Sequence, residues 1–133
     1  MDFFRIAVIA ADDFFTDLYE TALNEGEVVT SVTFPVPEKA GWSKFANLAS
    51  RFAIVAVMVS VSGGEVRVAV TGAKECVFRI PEMEQALAEN FSPDAIADIH
   101  IAQDGINDDH HADAEYRAHL VGVMAKRAIE DCG

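Results

Sequence analysis

The stretch FAIVAVMVSVSGGEVRVAVTGA, residues 52–73, decides the fold of this chain. Its valines recur at every second position on both sides of the pair Gly63–Gly64. Successive side chains of a β-strand point to opposite faces, so this pattern predicts two antiparallel strands joined by a tight turn. The first strand is apolar on both faces, which predicts a central position in a sheet or cover on both sides.

Helical signals follow this hairpin toward the C terminus. VFRI at 77–80 predicts a third strand, and Pro81 suits the first turn of a short helix in PEMEQALAENF. Ser92, followed by Pro93, is predicted to cap a second helix. A last helix is predicted from about Ala112 to Ile129, because apolar residues recur there at helical spacing. This order predicts an α+β fold: a small antiparallel β-sheet packed by C-terminal helices.

The residues before the hairpin carry weaker patterns. RIAVIA at 5–10 predicts a short strand, ADDFFTDLYETAL at 11–23 a helix, and EVVTSVTFP at 27–35 another strand. The segment PVPEKAGW, residues 35–42, is predicted to be a linker because its prolines end the strand.

The charge balance excludes several classes of partner. The 133 residues contain 10 Lys+Arg and 22 Asp+Glu, a formal net charge of −12. Such a surface repels nucleic acid and anionic membranes, so neither is expected as a partner. The longest apolar run, residues 52–61, is about half the length that a bilayer span requires. Two distant cysteines without a CxxC motif favour reduced thiols and a soluble, cytoplasmic protein.

The stretch NDDHHADAEYRAHL, residues 107–120, looks at first like a metal site. His111, Glu115 and His119 follow one another at i, i+4 and i+8, which is one face of a helix. Eight residues of helix rise about 12 Å, so three such side chains cannot converge on one ion. A helix start is the favoured interpretation, with Asn107, Asp108 or Asp109 as the N-cap.

In that interpretation Arg117 is a cation on the helix surface, unless it meets a buried carboxylate. No residue of the chain is predicted to be catalytic, and none is predicted to bind a metal. The glycines of SGGEV form a hairpin turn, whereas a phosphate-binding loop would open a helix.

Several motifs in collinear order resemble one family. NDDHHADAEYRAHLVGVMAKRA at 107–128 is similar to the C-terminal signature of the flavoprotein (medium) subunit of carbon monoxide dehydrogenases and the related xanthine dehydrogenase family of molybdenum hydroxylases. KFANLASRFAIVAVMV at 44–59, VRVAVTGA at 66–73 and ADDFFTDLYETALNEGEVVTSVTFPVP at 11–37 resemble further segments of that subunit. The chain departs from the family pattern at Leu48, where the family has proline.

The resemblance implies a division of the chain and a cofactor. Residues 1–42 would be the tail end of the flavin-binding domain, and residues 43–133 the C-terminal domain of that flavoprotein subunit. The implied cofactor is FAD, with Val29 and Lys44 at positions that line the flavin. The two glycine-rich loops that hold the pyrophosphate in this family have no counterpart in the sequence.

The resemblance also implies partners. These are the large molybdenum-containing subunit and the small iron–sulfur subunit, with the chain itself part of an FAD-containing oxidoreductase and inactive in isolation. Two alternatives stay open at this point. One is a free-standing interaction module that has lost flavin binding and forms homo-oligomers; the other is a small metal enzyme built on His111, Glu115 and His119.

Overall fold

A four-stranded antiparallel sheet and a long C-terminal helix form the body of the molecule. The structure is a computed structural model and describes residues 5–132. In chain order the elements are α1 (Ala11–Phe14), β1 (Phe15–Asp17), β2 (Glu20–Thr21), β3 (Lys39–Ala46), β4 (Ala53–Ser62), β5 (Glu65–Thr71), β6 (Phe78–Arg79), α2 (Pro81–Glu89), a 3-10 helix (Pro93–Ile96) and α3 (Ala114–Glu130). The strands lie in the order β3-β4-β5-β6. The predicted α+β class is confirmed.

The valine pattern of residues 52–73 forms the core as predicted. Strands β4 and β5 pair from Ala56–Thr71 to Ser62–Glu65, and the turn at Gly63 and Gly64 has positive φ at both glycines. One face of the hairpin is buried against α2, α3 and the 3-10 helix. Its core side chains are Val55, Val57, Val59, Val66, Val68 and Val70, together with Met83, Leu87, Ile96, Val121 and Met124.

Strand β3 was not predicted, and its first residues fall in the predicted linker at 35–42. It begins at Lys39 and pairs with β4 along its whole length, with an irregularity before Ala46. Its odd-numbered residues lie on the helix side of the sheet, and the Oγ atom of Ser43 lies 3.4 Å from the sulfur of Met124 in α3. The sheet therefore starts upstream of the predicted boundary between residues 42 and 43, and the division into two domains stays a prediction.

The predictions for residues 5–35 were wrong. Residues 5–10 and 27–35 form no strand, and the helix predicted over 11–23 shortens to α1, followed by the small β1–β2 hairpin. A helix or strand that periodicity predicts is stable only if another part of the protein covers its apolar face. Among the described residues no strand pairs with 27–35. Most large apolar side chains of residues 5–36 are exposed: Ile6, Val8, Ile9, Phe15, Leu18, Tyr19, Val28, Val29, Val32, Phe34 and Val36.

Two predicted caps were also wrong. Asp113, rather than an upstream residue, caps α3, and its carboxylate accepts a hydrogen bond of 2.7 Å from the backbone N–H of Tyr116. Ser92 precedes a 3-10 helix with no side-chain cap bond, and its buried hydroxyl has no hydrogen-bond partner in the described part of the chain. None of the helices found between residues 5 and 132 has the length and apolarity needed to cross a membrane.

Candidate functional site

The sheet has a second face, opposite the helices, which we call the open sheet face. It carries Trp42, Lys44, Met58, Ala69 and Thr71. Trp42 lies opposite Met58, which lies opposite Ala69, while Lys44 and Thr71 occupy the next row. Trp42 is 51% exposed and Met58 is 45% exposed. Large apolar side chains on a folded sheet mark a surface that suits a further layer or a ligand.

Lys44 is held in place on this face. Its Nζ atom donates a hydrogen bond of 3.3 Å to the backbone carbonyl of Arg51, and it lies 5.3 Å from the ring centroid of Trp42. Residues 42 and 44 share a face because they are two apart in a strand. The ammonium group is therefore presented beside an aromatic ring, with donor capacity left for an anionic or carbonyl-bearing ligand.

Val29, the second residue that the resemblance assigns to a flavin site, lies on a separate segment. It is 52% exposed within a stretch that has no regular secondary structure. The contacts that fix Lys44 involve Trp42 and Arg51. That Val29 and Lys44 line one ligand together stays a prediction.

The histidine cluster does not form as the spacing suggests. His111 precedes the start of α3 at Ala114, so it does not share a helix face with Glu115 and His119. Its Nδ1 atom instead lies 3.1 Å from the side-chain amide nitrogen of Asn47. No group of three His, Cys, Asp or Glu side chains between residues 5 and 132 is placed to hold a metal ion.

Glu115 and His119 open onto a shallow groove of about 400 Å³ beside α3. His100 and Lys126 also line this groove, together with the apolar side chains of Ile96, Ile99 and Ile101. The groove thus mixes one carboxylate with three basic side chains and lies on the helix side of the sheet.

Arg117 departs from the favoured interpretation, which placed it on the helix surface unless it met a buried carboxylate. It is buried, with 4% exposure, rather than on the helix surface. Its Nε atom donates to the carbonyl of Ala112 (3.2 Å), and Nη1 donates to the carbonyls of Ile54 (2.7 Å) and Gly72 (3.1 Å). Its Nη2 atom donates to Oδ2 of Asp109 at 2.8 Å. The guanidinium therefore ties α3 to the ends of β4 and β5.

The Asp109 carboxylate is the counter-ion of this clamp. Hydrogen bonds from the backbone N–H groups of His111 and Ala112, together with Arg117, lower the pKa of Asp109 to about 2. A signal for this burial is visible in the sequence. Arg117 is four residues before Val121 and lies within the apolar stripe of α3.

Comparisons with known proteins agree with the sequence motifs. No family model matches the chain. The medium subunit of nicotine 6-hydroxylase from Paenarthrobacter nicotinovorans is 33% identical, over 94% of this chain and 48% of that protein. The glyceraldehyde dehydrogenase medium chain of Sulfolobus acidocaldarius is 28% identical over 92% and 48%. The carbon monoxide dehydrogenase medium chain of Afipia carboxidovorans is 27% identical over 92% and 47%.

A solved structure supports the fold. Quinoline 2-oxidoreductase from Pseudomonas putida 86 superposes with a TM-score of 0.72 at 23% identity, covering 92% of this chain and 46% of that one. The chain spans about half the length of the relatives it matches. The relatives are medium subunits or medium chains, so the predicted resemblance is confirmed.

Proposed function

We propose, from the premise that this chain is homologous to the medium subunits of molybdenum hydroxylases, that it acts as the C-terminal portion of such a subunit. In this role it frames one side of an FAD site and contacts the partner subunits during electron transfer. The similarity to medium subunits over 94% of the chain carries the proposal. The bond-making chemistry of the whole enzyme then takes place outside this chain.

Two surfaces support this role. Residues 5–36 leave most of their large apolar side chains in solvent, and the open sheet face leaves Trp42 and Met58 half exposed. Burying apolar area stabilises a protein by roughly 25 cal/mol per Å², so these surfaces are costly unless another protein layer or a ligand covers them. A flavin domain and a bound flavin are coverings of the right chemistry.

The residues at hand suit one part of an FAD site. Lys44 offers an ammonium group beside the Trp42 ring, and Val29 offers an exposed apolar side chain. Bound FAD would supply the acceptor of electrons, while Lys44 would orient it through a charged hydrogen bond. The sequence contains no glycine-rich pyrophosphate loop, so these residues form a wall of the site and leave the phosphate-binding part to the remainder of the subunit.

The test is a titration of the purified chain with FAD, followed by calorimetry, flavin fluorescence and tryptophan emission. Trp42 is the sole tryptophan, so FAD bound at the open sheet face should quench its emission. Lys44→Met should weaken binding by roughly tenfold, the effect of losing one hydrogen bond to a charged group. Lys39→Met is the matched control, because Lys39 is on the same strand and its Nζ lies over Phe91, on the helix side.

The outcomes separate the proposal from its alternative. Stoichiometric binding that quenches Trp42 and depends on Lys44 supports a flavin site. An absence of binding at high micromolar FAD contradicts flavin binding by the isolated chain and restricts its role to an assembly with the remainder of the subunit.

The second candidate is an interaction module that has kept the fold and lost the flavin. The exposed apolar side chains of residues 5–36 favour it, because they provide a surface for self-association. Sedimentation velocity distinguishes the two candidates. A homo-oligomer that is unaffected by FAD and dissociates when Val32 and Phe34 are changed to serine favours the interaction module. A monomer that binds FAD excludes it.

A further inference from the structure

We infer that Asn47 and His111 position Lys44 on the open sheet face, through the connection between β3 and β4. Lys44 donates to the carbonyl of Arg51, so the place of its ammonium group depends on how residues 47–52 are folded. This inference rests on the proposed function, because it concerns the lysine assigned to the flavin. The hydrogen bonds that support it join residues of this chain and do not depend on a bound flavin.

Asn47 organises the connection. Its backbone N–H donates to the carbonyl of Phe52 (2.8 Å), and its own carbonyl accepts from the N–H of Arg51 (2.9 Å). Its side-chain oxygen accepts from the N–H groups of Ala49 (2.9 Å) and Ser50 (3.1 Å). An asparagine that binds the backbone two and three residues on is a common way to close a turn.

The turn places Arg51 in an unusual conformation. Its φ of +64° lies in the left-handed region, which residues with a Cβ atom adopt rarely. In this conformation the Arg51 carbonyl lies within reach of the Lys44 ammonium group. A conformation of this kind persists only where surrounding contacts hold it, so loosening the connection should release both Arg51 and Lys44.

His111 anchors the connection to the rest of the molecule. Because the side-chain oxygen of Asn47 already accepts two bonds, its NH₂ group is the part that faces His111. The Nδ1 atom of His111 must then accept, which requires the neutral ring with its proton on Nε2. His111 is itself fixed, since its backbone N–H donates to Asp109, the partner of buried Arg117. The position of Lys44 is thereby linked to the buried clamp.

The emission of Trp42 tests this link without any flavin. The Lys44 ammonium lies 5.3 Å from the Trp42 ring, so Lys44→Met gives the emission of the chain without a nearby cation. His111→Ala removes the acceptor, and Asn47→Ser keeps a turn-closing oxygen but cannot reach His111. Both variants should shift the emission toward that of Lys44→Met. His119→Ala, an exposed histidine on α3, is the matched control and should leave emission unchanged.

Asn47→Asp is the rescue variant. A carboxylate still accepts the two turn bonds, and it pairs with the other tautomer of His111, in which Nδ1 carries the proton. Emission close to that of the unaltered chain is expected for this variant. Circular dichroism and urea unfolding of each variant identify any that fail to fold, in which case the remaining variant of the pair decides.

The FAD titration separates this inference from the proposed function. If the chain binds FAD, His111→Ala and Asn47→Ser should weaken its affinity for FAD by roughly three- to tenfold, as expected for the loss of one neutral hydrogen bond. Emission shifts without any FAD binding would support the positioning role while contradicting the flavin site. FAD binding that needs Lys44 but is indifferent to both variants, with Trp42 emission unchanged, would overturn the positioning role alone.

Discussion

Replacing Arg117 with methionine is the most informative single change in this chain. The substitution keeps a long, flexible apolar side chain and removes the guanidinium. Arg117 is buried and makes four hydrogen bonds, three to backbone carbonyls and one to Asp109. Loss of the guanidinium leaves these carbonyl and carboxylate acceptors with fewer hydrogen-bond donors at a buried position.

The magnitude follows from these partners. Removing one member of a buried ion pair usually costs about 3–5 kcal/mol. Asp109 is 42% exposed and can be resolvated, which places the expected loss near the lower limit, about 3 kcal/mol. The carbonyls of Gly72 and Ala112 also accept other bonds, from Asn107 and from the N–H of Asp109, which limits the loss further. For a total stability of about 5–15 kcal/mol, this is a large fraction.

Urea unfolding followed by circular dichroism measures the effect. The midpoint should fall while the slope of free energy against denaturant stays the same. Arg117→Lys should recover less than half of the loss, because an ammonium group cannot reproduce the planar fork of donors. Arg127→Met, at an exposed position of α3, is the control and should change stability by less than about 0.5 kcal/mol. A loss below about 1 kcal/mol for Arg117→Met, or one equal to the control, would refute the clamp.

Two further predictions concern glycines and pH. A Cβ atom at Gly41 would overlap the carbonyl oxygen of Ala128 and lie 2.9 Å from the nitrogen of Cys132. Gly41→Ala should therefore cost about 1–3 kcal/mol or more, whereas Gly122→Ala, with open space in a helix, should gain up to about 1 kcal/mol. Thermal unfolding compares them, and similar melting temperatures would contradict the close approach of β3 and α3. The pKa of Asp109 is lowered to about 2, so its carboxylate stabilises the fold above its ordinary pKa of 3.8, and this contribution is lost as pH falls through about 2. Between pH 4 and pH 2 the free energy of unfolding of the unaltered chain, measured by urea unfolding at each pH, should fall more steeply than that of Asp109→Asn. An equal fall in the two proteins would disprove this.

The proposed site was only partly visible in the sequence. The resemblance assigned Lys44 by its place in a motif, and the structure gives that residue a definite setting beside Trp42 and Arg51. The link from Asn47 to His111 could not be predicted, because 64 residues separate them. The spacing of His111, Glu115 and His119 was misleading, since it presumed a helix that begins only at Ala114.

The sequence by itself determined the hairpin, the strand at 78–79, α2, α3 and the α+β class. Each of these elements depends on local periodicity and turn chemistry, which a single segment carries within itself. Only the tertiary structure decided the pairing of β3, the partners of Arg117 and the lack of regular structure at 27–35. A strand needs a neighbour for its backbone hydrogen bonds, and a buried charge needs partners from distant segments. Those partners are supplied by folding, so no local pattern could reveal them.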